Sequence, residues 1–407
     1  MDGIIGAPVI IRVKDTFLPN LRETLEGLNL KTRIMPRFNM ASAFLTTGII
    51  NRIAGLDFVE GIYLDREQRI PEIPKGFGLN DFILFQRILK LPRLRQVTMP
   101  RINQADPSWV GTLEAKKYQE SDMANQAGFN GKGMKIAIVD SDAGPQVNLM
   151  RQLKGRVQSQ YVKPLYGTTC GHGSFCATEA IGSRLELPNI ILEGVAPQAE
   201  AIAIKTLFTP MGMGASSDII KGLEIALDHG ADVISLSLGS PSTDPNTDPL
   251  CIAISQIPKE KAVVCVASGN DGGRVGSPAN CPNALAIGAV DSRTNRLASF
   301  SNRGPEQAFI APGVNIFSSI ATESFLDIVS MGGTGLSPLS GTSMSTPLVA
   351  SQVLLIMEYF QKDYNLRPTI DMIRDMGKRY GEQKTDERGY GPLKFSYAEK
   401  YAKEVLS

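Results

Sequence analysis

The sequence predicts an α/β fold, a mostly parallel sheet flanked by helices, with a smaller α+β unit ahead of it. Three observations carry this. From Lys135 onward, short continuous apolar runs ("KIAIVD", "EAIAIKTL", "DVISLSL", "AVVCVAS", "ALAIGAV") alternate with helical stretches such as "SSDIIKGLEIALDHG". Strands that are apolar on both faces are buried on both faces, as in parallel sheets sandwiched by helices. Before Glu67 the pattern instead switches between periods of two and 3.6. Finally, 407 residues exceed what one core absorbs, so a large domain plus a smaller one is expected.

In chain order, "PVIIRVK" reads as a strand, "FLPNLRETLEGL" as an amphipathic helix, "KTRIMPRF" and "ASAFLTT" as strands, "GIINRIAGL" as a helix and "FVEGIYLD" as a strand. That order is β-α-β-β-α-β, a split unit with two helices on one antiparallel sheet. Beyond it, "PEIPKGFG" and "LPRLRQVTMPRINQADP" are proline-broken and basic, flanking one expected helix, "LNDFILFQRIL". The chain thus divides into residues 1–67, a connector over 68–124, and the α/β domain over 125–407.

Composition removes several function classes. A net charge of +1 gives no reason to expect nucleic acid or an anionic membrane as a partner. No apolar run approaches the roughly 20 residues that cross a bilayer. The start "MDGIIGAPVIIRVK" lacks the basic stretch, apolar core and small-residue site of a secretion signal, which favours the cytoplasm, or secretion if a leader was removed. Five cysteines, an odd count, do not make a disulfide scaffold. Scattered thiols are expected, with a local Cys251–Cys281 bridge left open.

Ligands of parallel sheets bind beyond the carboxyl ends of the strands, and four residues stand there. Asp140 ends "KIAIVD", where an aspartate ordinarily makes a turn or caps a helix. Asn270 lies in "SGNDGG", ordinarily a turn asparagine. His172, one of two histidines, sits between Gly171 and Gly173, just before the helix-like "SFCATEAIGS". Ser343 lies in "LSGTSMSTPLVASQVLLIMEYF", where Pro347 suggests a nearby helix start whose backbone N–H groups could hold an oxyanion. Each is weak alone. Together they supply a nucleophile, a base, an acid to hold the base's tautomer, and an oxyanion donor, in the chain order Asp, His, Ser known from subtilisin.

The segments "IAIVDSDAG", "GHGSFCATEAIG", "VVCVASGNDG" and "SGTSMSTPLVA" resemble the four motifs of the subtilisin-family serine proteases (subtilases, peptidase S8). "EGVAPQAEAIAIKTL", "GADVISLSLGS" and "ALAIGAVDSRTNRLASFSNRGPEQAFIAPGVNI" extend the likeness over most of residues 125–350, and "GYGPLKFSYAEKYA" is similar to the family's C-terminal end. The resemblance implies a subtilisin-like fold and a serine endopeptidase with Asp140 as triad acid, His172 as base, Ser343 as nucleophile and Asn270 as oxyanion donor. Ser340 and Ser345 do not match the nucleophile's position. It further implies an extended polypeptide substrate held between two backbone edges, Ser237, Leu238 and Gly239 on one side and Gly212 and Gly214 near the other. Ala267, Ser268 and Gly269 would line the primary pocket, with Asp271 at its rim favouring a basic or polar residue before the scissile bond. Residues 1–67 resemble an inhibitor I9-like, ferredoxin-like propeptide that chaperones folding and lays a tail through the cleft of a self-inhibited zymogen, with processing in 68–124.

Some positions depart from the family pattern. Phe175, Cys176, Thr178 and Glu179 stand where a second histidine and small residues are usual, and would crowd the base. Asp142 replaces a glycine, while Leu348 and Ser351 affect packing. No cofactor is required for the chemistry. Structural calcium, frequent in the family, stays open, since "RLELPNIILEG" shows no obvious set of oxygen ligands. A rival zinc site at Cys170, His172 and Cys176 lacks a fourth ligand. Two other functions compete: a catalytically weak homologue acting as a peptide-binding module, and a nucleotide-binding domain, for which "SGNDGG" lacks the phosphate-loop pattern. His229, in "ALDHGADVIS", is expected at a helix end, against terminal carbonyls.

Overall fold

The computed structural model describes residues 6–70, 106–141, 156–162, 170–209, 212–322, 324–327 and 334–406. The expected helix "LNDFILFQRIL" and Asp142 lie outside them.

The N-terminal unit runs β1 (Gly6–Val13), α1 (Leu18–Gly27), β2 (Thr32–Met35), β3 (Met40–Thr46), α2 (Thr47–Ala54) and β4 (Val59–Leu64). Its strands form an antiparallel sheet in the order β2-β3-β1-β4. The alternation that predicted strands is the packing: Val9, Ile11 and Val13 of β1 point to one face and meet Leu21, Leu25 and Ile53 from the two helices.

The larger unit is built on a sheet of β7 (Lys135–Asp140), β8 (Val157–Tyr161), β11 (Glu200–Lys205), β13 (Val233–Leu236), β14 (Val263–Ala267), β15 (Ala284–Asp291), β16 (Arg296–Leu297) and β17 (Gln307–Pro312). Its order is β16-β15-β14-β13-β7-β11-β8, with β17 beside β15, and only the β15–β16 pairing is antiparallel. Adjacent β7, β13 and β14 run in parallel register, Ile136 against Val233 and Val233 against Val263. Their carboxyl ends therefore open on one edge.

A helix at Thr342–Tyr364 packs against this sheet and is buried over Thr342–Phe360. A helix buried on every side belongs to the core, where each large aliphatic side chain contributes roughly 1.5–3 kcal/mol. Pro347, expected near the helix start, lies inside the helix, six residues from its first residue by inclusive count. Cys251 and Cys281 form a disulfide with Cα atoms 5.5 Å apart, while Cys170, Cys176 and Cys265 are buried thiols outside it.

The small unit docks on the helix Ser216–Asp228. The residue before that helix, Ala215, has no side chain to cap it. Asp65 supplies the missing acceptor from across the interface, taking the Ser217 N–H at 2.9 Å and its hydroxyl at 2.6 Å. Burial lifts the Asp65 carboxyl above the usual carboxylate range, against the opposing pull of these hydrogen bonds and of Arg33. Arg33 pairs with Asp218 and Arg37 with Asp228, and the Arg37 N–H donates to Glu224 at 2.6 Å. Just beyond, β5 (Glu67–Arg69) pairs antiparallel with β12 (Met213–Ala215) of the larger unit.

Candidate active site

Asp140 is the last residue of β7 and is buried. Its backbone carbonyl accepts the N–H of Thr206 at 2.8 Å, and its Oδ1 accepts that of Ser141 at 2.5 Å, which orients the carboxylate. Both carboxylate oxygens lie 2.9 Å from Nδ1 of His172. His172 is itself the first residue of a helix, His172–Ile181, not the residue before it. That helix is entered through Gly171 at φ +89°, where a side chain would collide with the Ser324 hydroxyl. Only glycine fits such a turn without strain. The Gly173 N–H donates to the Ser141 hydroxyl at 3.0 Å, tying the helix start to the end of β7.

Ser343 is the second residue of its helix and is fully buried in this arrangement. Its hydroxyl donates to the Ser237 carbonyl at 3.3 Å. Because Pro347 has no N–H, the Ser343 carbonyl loses the donor that residue i+4 normally provides. The Ser237 hydroxyl at 3.0 Å and the Cys176 thiol at 3.7 Å take its place. Cys176 also stands 3.9 Å from His172 Nδ1, so one thiol separates the histidine from the serine's backbone. These supporting roles of Ser237 and Cys176 were not read from the sequence. The signal was present, since a proline four residues after the serine leaves exactly one carbonyl to be satisfied from elsewhere.

Asn270 follows β14, and its Oδ1 accepts both the N–H of Thr342 at 2.9 Å and its hydroxyl at 2.8 Å. Pinning the oxygen fixes the plane of the amide, and so the direction in which its Nδ2 donates, one residue from Ser343. The preceding segment Ala267, Ser268 and Gly269 reaches the same helix start, the Gly269 N–H donating to the Thr342 hydroxyl at 3.2 Å. Asp271 is exposed, with its N–H on Asn302 Oδ1 at 3.0 Å. Ser340 bonds Asn315 and Ser345 bonds the carbonyls of Ala311 and Pro312. Both hydroxyls are thus engaged with other partners.

Ser237, Leu238 and Gly239 continue β13 and form one side of a cleft whose other side is β12 with Gly212. Residues 67–70 run between them. Arg69 and Gly239 exchange hydrogen bonds at 3.1 and 3.0 Å, the Ile70 N–H donates to the Gly212 carbonyl at 3.0 Å, and Gly214 pairs with Gln68.

Of the residues expected beside His172, Cys176 stands 3.9 Å from its Nδ1. Phe175 is buried in the main core, and Thr178 bonds Ser318 and the Ser319 carbonyl. Leu348 and Ser351 are buried in the Ser343 helix. His229 ends the helix Ser216–Asp228 with Nδ1 2.8 Å from the Ile225 carbonyl.

Among the described residues, Asp140, His172 and Cys176 bring ligand-type atoms within 4.8 Å of one another, and Cys170 does not join them. Three donors, one imidazole nitrogen already facing a carboxylate, fall short of the four that a structural zinc site uses. In the segment considered for calcium, Leu185–Leu187 and Ile190–Leu192 form a two-stranded hairpin with Glu186 held by Arg184 at 2.9 Å. Burial drives the Cys176 thiol up to about 12, despite the opposing effect of His172. It is neutral at any ordinary pH, and thiol reactivity belongs to the thiolate. Iodoacetamide at pH 8 is therefore expected to leave Cys176 unmodified in the folded chain and to label it after denaturation, as read by peptide mass mapping.

The model of the family described as "Subtilase family" matches residues 131–386. Subtilisin Savinase of Lederbergia lenta is 35% identical over 237 residues, which is 58% of this chain and 80% of that protein. The serine protease AprX of Bacillus subtilis is 29% identical over 314 residues, 70% of each chain. An alkaline protease of Alkalihalobacillus alcalophilus is 35% identical over 58% of this chain and 57% of its own length. With the family's model matching more than half of its length, the chain belongs to the subtilases, the subtilisin-like serine endopeptidases.

Proposed function

We propose that the chain is a self-inhibited zymogen whose endopeptidase chemistry runs through Ser343, His172, Asp140 and Asn270. The observation that carries this reading is the approach of both Asp140 carboxylate oxygens to His172 Nδ1 at 2.9 Å, at the strand edge where Ser343 also lies. A carboxylate accepts, so Nδ1 carries the proton and Nε2 is the basic nitrogen. Nε2 takes the Ser343 proton as the hydroxyl swings from the Ser237 carbonyl and attacks the scissile carbonyl. The Asn270 amide donates to the oxygen that becomes negative. His172 then gives the proton to the leaving amine, an acyl-enzyme forms on Ser343, and water attacks it with His172 again taking the proton. Polypeptide substrates follow from the reaction.

Self-inhibition is supported by the chain's own residues 67–70, which add a strand between the two edges where a substrate backbone would bind. Over residues 67–70 the tail runs antiparallel to Ser237–Gly239, in the direction from Gly239 toward Ser237, whose carbonyl holds the Ser343 hydroxyl. The Ala267–Gly269 segment serves as the primary pocket in this scheme, with Gly212 and Gly214 on the opposing edge.

Intact-mass measurements on the full-length chain and its Ser343→Ala variant test the proposal. The unaltered chain is expected to release an N-terminal fragment ending within a few residues after Ile70 and to take up a serine-directed phosphonate, and the variant to do neither. If the unaltered chain stays whole and unlabelled, the cleft is a peptide-binding module.

A further inference from the structure

We propose that the cleft carries a subsite selective for glutamine, built from Ser216 and Ser240, with a branched aliphatic residue read two positions further along the substrate. This rests on the reading above, that residues 67–70 occupy the substrate's path.

Successive side chains of a strand face opposite ways. In the tail Glu67 and Arg69 are exposed, whereas Gln68 and Ile70 are 0% and 1% exposed. Burying an amide is costly unless it is hydrogen-bonded. Gln68 Nε2 donates to the Ser216 hydroxyl at 3.0 Å and reaches that of Ser240 at 3.4 Å, one serine from each side of the cleft. The Ser216 hydroxyl spends its own proton on the Arg66 carbonyl at 3.1 Å. It therefore presents a lone pair to the cleft and calls for a donor. A glutamine amide supplies one, while the acceptor-only carboxylate of glutamate and the apolar side chain of leucine do not. Among the described residues nothing donates to Gln68 Oε1, so the selectivity resides in the NH2 end of the amide. Two residues on, Ile70 packs its branched side chain against Gly212. A β-carbon there would stand 2.8 Å from Ile70 Cγ1, so glycine at 212 is what admits a β-branched residue.

The test uses enzyme matured from the full chain, hydrolysing a generic fluorogenic peptide in competition with peptides copying residues 64–74. Changing the glutamine to leucine or glutamate is expected to raise Ki by about 10-fold, the weight of a lost hydrogen bond to a buried partner. Changing the arginine that copies Arg69 is expected to leave it within about 2-fold, as for an exposed side chain. In the Ser216→Ala/Ser240→Ala enzyme the glutamine peptide is expected to lose its advantage while the leucine peptide binds as before, which also controls for misfolding. Equal Ki values for the glutamine and leucine peptides on the unaltered enzyme overturn the inference, whatever the variant does. Absence of any Ser343-dependent hydrolysis overturns the underlying reading and the inference with it, and is visible before any peptide is compared.

Discussion

The His172→Ala enzyme is expected to lose about a million-fold in kcat with little change in KM, and Asp140→Ala about ten thousand-fold or somewhat more, magnitudes carried over from subtilisin itself. The inequality has a structural cause. In the proposed mechanism nothing else removes the Ser343 proton once His172 is gone, and a neutral hydroxyl is a poor nucleophile. Without Asp140 the imidazole remains but loses the 2.9 Å contacts that hold its proton on Nδ1 and stabilise the imidazolium formed during attack. In the proposed mechanism the groups act as one unit, so adding Ser343→Ala to His172→Ala should cost almost nothing more. Steady-state kinetics on an extended peptide, normalised by folded protein, measure all three variants. A double variant much slower than either single one, or an Asp140 effect under about 10-fold, would show that the contacts do not form a catalytic chain.

Asn270→Ala is expected to lower kcat by about 100- to 1,000-fold, again with KM nearly unchanged, the range found for subtilisin's own oxyanion donor. The donor's contribution arises only once charge develops on the substrate oxygen, so ground-state binding should not register it. Asn270 also accepts the Thr342 N–H at 2.9 Å, so alanine removes a structural contact as well. Asn270→Asp separates the two roles. It keeps an acceptor for Thr342 while placing a carboxylate oxygen where the donor stood, so kcat should fall at least as far as in the alanine variant. Thermal unfolding midpoints nearer the unaltered enzyme's for Asp than for Ala would assign the kinetic loss to the missing donor. A kcat within 10-fold of the unaltered enzyme in both variants would remove Asn270 from the oxyanion site.

Much of the fold is legible in local patterns. "KIAIVD" and "ALAIGAV" are strands because an unbroken apolar run can only be buried on both faces, and Lys135–Asp140 and Ala284–Asp291 are such strands. The alternation in "PVIIRVK" reports a sheet with one covered face, and β1 has one. Gln307–Pro312 joins the same sheet without being anticipated, because a run of "QAFIAP" at the end of a polar, glycine-bearing loop carries too little periodicity to mark a strand. Pro347 misled for a different reason. Proline's preference for a helix's first turn is a local rule, and here a serine and a cysteine from other elements satisfy the carbonyl that the proline strands, so the helix passes through it.

The propeptide resemblance implied a tail in the cleft, but which residues fill it could not be read from residue types. "EQRI" looks like part of a polar connector, and its pairing with Met213–Ala215 and Gly239 uses backbone groups that every non-proline residue carries. Likewise, nothing in the spacing of Arg33, Arg37 and Asp65 announces that they meet one helix of the other unit.

By itself, then, the amino-acid order determined which side-chain chemistry the chain carries, because hydroxyl, imidazole, carboxylate and amide are properties of side chains, and it determined where the strongly patterned strands and helices run, because periodic burial is written locally. The tertiary structure alone decided what touches what: that Cys176 stands between His172 and the Ser343 backbone, that Asp65 caps a helix of another unit, and that Gln68 and Ile70, not their neighbours, face into the cleft. Those contacts join residues far apart in the chain, and their partners are selected by shape and by backbone hydrogen bonds that leave no mark on composition or period.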